Sequence, residues 1–126
     1  MKCKHTTCML VEDEALAIEM MRDYIDRRDE LVLIGIASQM SEIQDILDQF
    51  TPSIIFLDFT VPPCESDGFH FGMLPPDANI IVVSAIPLAH FKGNLPKGDI
   101  YELPKPISFD SFNRCVNQVL DKLSGR

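Results

Sequence analysis

The sequence has no apolar run approaching the roughly 20 residues that a membrane-spanning helix needs. Nor does it open on an apolar stretch of signal-peptide length: behind Lys2 and Lys4, Val11 leads straight into Glu12-Asp13-Glu14. Basic residues are scarce. Eleven Lys and Arg stand against 19 Asp and Glu, a formal net charge of −8. Phosphate backbones and anionic lipid repel such a chain, which argues against direct binding to nucleic acid or to a membrane surface. Cysteine pairs are also missing. Cys3, Cys8, Cys64 and Cys115 form no C-x-x-C motif, and His5, His70 and His90 stand too far apart for metal-ligand spacing. Free thiols in a reducing compartment fit this pattern, and the expected location is the cytoplasm. No internal repeat, low-complexity tract or linker interrupts the 126 residues. With 46% hydrophobic residues, they suffice for one packed domain, spanning 1–126.

The apolar positions that are present alternate between two periods. Cys8 to Val11 read as a short buried strand that runs into the three acids. Helix spacing follows over 15–28, where Leu16/Ala17, Met20/Met21 and Tyr24/Ile25 form the apolar stripe. Residues 31–37 read as a second strand. Ser41 with Gln44 fits a capping box for a helix whose apolar face is Ile43, Ile46, Leu47 and Phe50. A third strand, Ile54 to Leu57, ends at Asp58; a fourth, Ile80 to Val83, ends at Ser84; a fifth, Ile100 to Leu103, ends near Lys105. Ser108 caps a last helix with the stripe Phe109, Phe112, Val116, Val119 and Leu123. Strands that are apolar throughout suit a parallel sheet covered on both faces. Their alternation with helices predicts a doubly wound five-stranded α/β sheet. Four prolines between residues 59 and 78 shorten any third helix, to about Phe69–Leu74, and Pro87, Gly93, Pro96 and Gly98 make a regular fourth helix over 87–98 a poor fit.

In such a sheet, ligands bind at the carboxyl ends of the strands. Those ends carry Glu12 and Asp13, then Asp58, then Ser84, then Lys105. Carboxylates gathered in one cleft repel one another and suit a hard divalent cation such as Mg²⁺. A lysine and a hydroxyl beside them can neutralise and hydrogen-bond a phosphoryl group carried by an aspartate. Each residue alone is ordinary: acids after a strand usually face solvent, serine is common at strand ends, and Lys-Pro is a common turn. Their joint order is far more specific.

The succession V-E-D-E, F-L-D-F-T-V-P, V-V-S-A and L-P-K-P-I resembles the receiver domain of bacterial two-component response regulators over nearly the whole chain. The stretches V-E-D-E-A-L-A-I-E-M-M-R-D-Y-I and P-S-I-I-F-L-D are most similar to the LytTR type. The resemblance implies a flavodoxin-like receiver fold and a role for each matching residue. Asp58 accepts a phosphoryl group from a sensor histidine kinase. Asp13 binds Mg²⁺ directly, Glu12 through water, and Thr60 through its backbone carbonyl. Ser84 binds a phosphoryl oxygen, and Lys105 pairs with the phosphate. The peptide before Pro106 is usually cis in this family. It further implies a signalling domain that catalyses only its own phosphorylation and dephosphorylation, dimerisation on phosphorylation, and continuation of a longer natural protein into a DNA-binding domain.

The chain also departs from the family. Pro62 to Gly68 is about two residues longer than usual. The switch aromatic normally stands three residues before the lysine, where this sequence has Glu102, with Tyr101 one position early. Either a regular fifth strand puts Glu102 in that place, or a bulge at Pro104 restores Tyr101 to it. These departures keep a second reading open, a degenerate receiver acting as a phosphorylation-independent interaction module. A haloacid dehalogenase-like phosphatase would need an acid two residues after the nucleophile, where Thr60 stands. A flavin-binding flavodoxin would need a Ser/Thr/Gly-rich loop where Glu12 to Glu14 stand.

Overall fold

The computed structural model describes residues 5–58, 74–85 and 99–125, apart from the side chain of Met40. The described elements are β1 (Thr6–Val11), α1 (Ala15–Asp26), β2 (Leu31–Ala37), α2 (Met40–Gln49), β3 (Ile54–Asp58), β4 (Asn79–Ser84), β5 (Ile100–Pro104) and α3 (Phe109–Leu123). All strand pairs are parallel, in the order β2-β1-β3-β4-β5. This is the doubly wound sheet that the sequence pattern predicts.

Burial follows position in the sheet. Every residue of the inner strands β3 and β4 is buried, whereas the edge strands β2 and β5 are only partly covered. Successive side chains point to opposite faces, so each strand feeds two cores. Leu10, Phe56, Ile81 and Leu103 pack with Met21 and Ile25 of α1 and with Phe112, Val116 and Val119 of α3. Met9, Val11, Ile55, Leu57 and Val82 pack on the other face with Ile43 of α2. Helices thus cover both faces, which explains why the strands are apolar rather than alternating. At Gly35, where α2 crosses β2, a Cβ would lie 2.8 Å from Cδ1 of Ile46, so glycine there permits the close approach.

Several local expectations are corrected. Helix α1 stops at Asp26, short of residue 28. Leu16 is 75% exposed rather than part of the stripe, because the buried faces of the helix run through Met21 and Ile25 and Leu16 lies off that line. Helix α2 starts before the expected cap at Ser41: its N-cap is Gln39, and the Glu42 carboxylate accepts the backbone N–H groups of Ser38 and Gln39. Phe50 and Leu123 end their helices exposed, since nothing among the described residues covers those last turns. Ser108 does cap α3, accepting the N–H of Ser111 at 3.0 Å. The expected short helix at 69–74 (all but Leu74, which is buried) and the irregular segment 87–98 lie outside the described residues.

Strand β5 settles the alternative at residues 101 and 102. Its pairing with β4 runs from Ile80↔Ile100 to Ser84↔Pro104 without a slip. Tyr101 therefore shares the face of Leu103 and packs half-buried against the α1/α3 core, while Glu102 is exposed with the opposite parity. The bulge that would restore Tyr101 is not formed.

Candidate functional site

Register assembles the site. Val11 is level with Leu57 across β1 and β3, so Glu12 and Asp58 leave the sheet side by side, with the parity of Leu10 and Phe56. Asp58 is level with Val83, and Ser84 lies one position further on, paired with Pro104. The sheet continues one bond beyond β5, as the Lys105 N–H donates to the Ser84 carbonyl at 3.0 Å. From there the Lys105 side chain reaches back, placing Nζ 2.8 Å from Oδ2 of Asp58. The Lys105–Pro106 peptide is cis.

The carboxylates are deeply placed. Asp58 is 1% exposed and Glu12 is 2% exposed, whereas Lys105 keeps 29% of its side chain in solvent. The Glu12 N–H donates to the Ala37 carbonyl at 2.9 Å, and Oε2 of Glu12 accepts the Glu14 N–H at 3.2 Å. Burial pushes the Glu12 carboxyl up to about 7, reinforced by its hydrogen bond to Asp58 and by the charge there. The Glu14 N–H and the Lys105 charge pull the other way and only partly offset this. The Glu12 carboxyl is thus hydrogen-bonded to Asp58, whose carboxylate also carries the Lys105 ammonium. Ser84 is buried at the strand end, and Asp13 is exposed beside Glu12.

These placements bring together Glu12, Asp58 and Lys105, with Ser84 adjoining through the backbone. Thr60 lies outside the described residues. Among the described residues no three His, Cys, Asp or Glu side chains already converge as a metal cluster. Even so, two adjoining buried carboxylates are an oxygen donor set that suits a hard divalent cation, which would offset their repulsion.

A cleft of about 540 Å³ opens over the site. Glu12 and Lys105 form its polar side, and Leu16, Met20, Pro106 and Ile107 its apolar wall. The sequence pattern assigned Leu16 to the core and passed over Ile107. The signal for the wall was an apolar residue just outside the α1 stripe, next to the acids.

The strand order, the helices on both faces and this carboxyl-edge site define the fold of a response regulator receiver domain. No family model matches the chain. In sequence it is 25% identical over 119 residues to an uncharacterized response regulatory protein of Shewanella oneidensis, covering 94% of this chain and 50% of that protein. It is 29% identical over 125 residues to the protein-glutamate methylesterase/protein-glutamine glutaminase 2 of the same organism, covering 91% of this chain and 34% of that one. The chain thus spans half or less of the length of these curated relatives. In structure it is similar to the response regulatory domain of protein mrkE from Klebsiella pneumoniae, with a TM-score of 0.76 at 15% identity over 96% of this chain and all of that one. Both comparisons support the receiver class. Among the described residues, no helix is long and apolar enough to cross a membrane.

Proposed function

We propose that this domain accepts a phosphoryl group on Asp58 from the phosphohistidine of a sensor kinase, with Mg²⁺, and that the acyl phosphate alters its interactions. The observation that carries this reading is the 2.8 Å contact between the Lys105 ammonium and Oδ2 of the buried Asp58, next to a cleft that Glu12 and Lys105 line. A carboxylate oxygen of Asp58 attacks phosphorus, and the donor P–N bond breaks with its electron pair leaving on the histidine nitrogen. A carboxylate nucleophile needs little activation, so positioning and charge neutralisation do most of the work. On this reading Lys105 exchanges its carboxylate contact for a phosphoryl oxygen, and Ser84 donates its hydroxyl to another. Glu12, Asp13 and Asp58, with the backbone carbonyl of Thr60, would hold Mg²⁺, which offsets the negative charge of the incoming phosphoryl group. On this reading the domain is no enzyme toward other substrates and promotes only its own phosphorylation and dephosphorylation. Its setting is the cytoplasm, where the kinase's phosphohistidine is made. The resemblance to LytTR-type receivers extends the proposal to dimerisation on phosphorylation and to a DNA-binding domain in a longer natural protein.

A second reading, a phosphorylation-independent interaction module, draws on Glu102. A glutamate at the switch position cannot enter an apolar pocket behind Ser84 without a desolvation cost of about several kcal/mol. One experiment separates the two. In Mg²⁺ and acetyl phosphate, intact-protein mass spectrometry should show one added phosphoryl group on the parent and none on Asp58→Asn. Equal labelling of both proteins would overturn the assignment of Asp58; no labelling of the parent would favour the module.

A further inference from the structure

Lys105 lies in a link, residues 105–108, between the end of β5 at Pro104 and the start of α3 at Phe109. Its ends are tied by the backbone bond from Lys105 to Ser84 and by the Ser108 cap. Its middle is held from a different element. The Tyr24 hydroxyl of α1 is aimed at the Ile107 carbonyl at 3.5 Å, a weak contact longer than an ordinary O–H···O bond. The Tyr24 ring is itself held. Its centroid lies 5.3 Å from that of Phe109 and 5.5 Å from that of Phe112, tilted against both. Phe112 stacks in turn on Phe56 at 5.7 Å. The Arg27 guanidinium closes the outer side, 4.8 Å from the Phe109 centroid and 5.9 Å from that of Tyr24.

This aromatic chain joins the segments that carry both partners of the candidate ion pair. Phe56 stands two residues before Asp58 on β3, and Ile107 stands two residues after Lys105. We infer that Tyr24 is a positioning residue for Lys105, fixing the link through the Ile107 carbonyl so that the ammonium is aimed at Asp58. Lys105 needs such support because solvent reaches its side chain and burial alone does not fix its rotamer. Among the described residues, three anchors hold the link: the sheet, the α3 cap and α1. Only the last is set by one side chain outside the link. The consequence for catalysis rests on the phosphoryl-transfer reading; the geometry of the link does not.

The test is Tyr24→Phe, which keeps the ring stack and removes only the hydroxyl, with Tyr24→Leu as the ring-deleting comparison. For Tyr24→Phe we expect a Tm lowered by only a few degrees, little change in amide exchange within α3, and exchange at the Lys105 amide about fivefold faster, as for the loss of one modest hydrogen bond. Phosphorylation by acetyl phosphate should slow by about the same factor. Tyr24→Leu should add a loss of Tm. Parent-like exchange at Lys105 in Tyr24→Phe would overturn the assignment. So would exchange that rises equally throughout α3 and at Lys105, because Tyr24 would then be a packing residue only. If the parent takes up no phosphoryl group, the proposed function fails, and exchange at Lys105 decides the inference by itself.

Discussion

Lys105 Nζ lies 2.8 Å from Asp58 Oδ2 although 47 positions separate the two residues in the chain. The lysine is partly exposed and the aspartate is not, so the two ends of the pair depend on it unequally. Removing the lysine leaves Asp58 buried next to Glu12 without its cation. Lys105→Ala should therefore cost about 1–2 kcal/mol, below the range for a fully buried pair because solvent screens the ammonium. Urea unfolding at neutral pH measures it. The Asp58→Asn and Lys105→Ala costs should fall short of adding in the double variant, since each breaks the same contact.

Glu12 makes the stability of the metal-free domain depend on pH. Its carboxyl titrates near 7 in the fold and at the ordinary 4.5 when unfolded. Between those values the folded state holds more protons, so stability falls as pH rises through that window and levels off above it. Melting temperatures at about pH 5 and about pH 8 should show the decline, and Glu12→Gln should flatten it. A profile in Glu12→Gln as steep as the parent's would place the titrating group elsewhere.

Magnesium should reverse that trend. A cation that binds only the folded state raises Tm, and it competes best once the Glu12 carboxyl is ionised. The Mg²⁺-dependent rise in Tm is expected to be larger at about pH 8 than at about pH 5. Asp13→Ala should lose most of this rise, while itself melting no lower than the parent without metal, since Asp13 is exposed beside another acid. An undiminished rise in Asp13→Ala would remove Asp13 from the ligand set.

The crossing of α2 over β2 predicts a compensated pair. Gly35→Ala forces the Ile46 side chain aside and should cost about 1–3 kcal/mol. Shortening the neighbour should recover part of that cost, so Gly35→Ala/Ile46→Val should be more stable to urea than Gly35→Ala alone.

Two thiols should be inert in the native state. Burial pushes Cys8 up to about 12 and Cys115 up to about 11, so neither forms appreciable thiolate near neutral pH. Peptide mapping after brief iodoacetamide treatment should find both unmodified until denaturant is added.

The sequence by itself determined the kind of fold and the candidates for its site. Strand and helix periods are local properties, so the five strands and the helices at 15–26, 40–49 and 109–123 were legible within a few residues. The carboxyl-edge acids, Ser84 and Lys105 were legible because parallel strands all end at the same edge. Only the tertiary structure decided what depends on pairing and coverage. That Glu12 touches Asp58 follows from the level of Val11 with Leu57, which no local pattern contains. That Tyr101 turns inward and Glu102 outward follows from an unslipped register between β4 and β5. Leu16, apolar like the core, ends in solvent beside the cleft because nothing among the described residues covers that end of α1. Burial and register are contacts between residues distant in the chain, and these contacts place an acid and a lysine within reach of one aspartate.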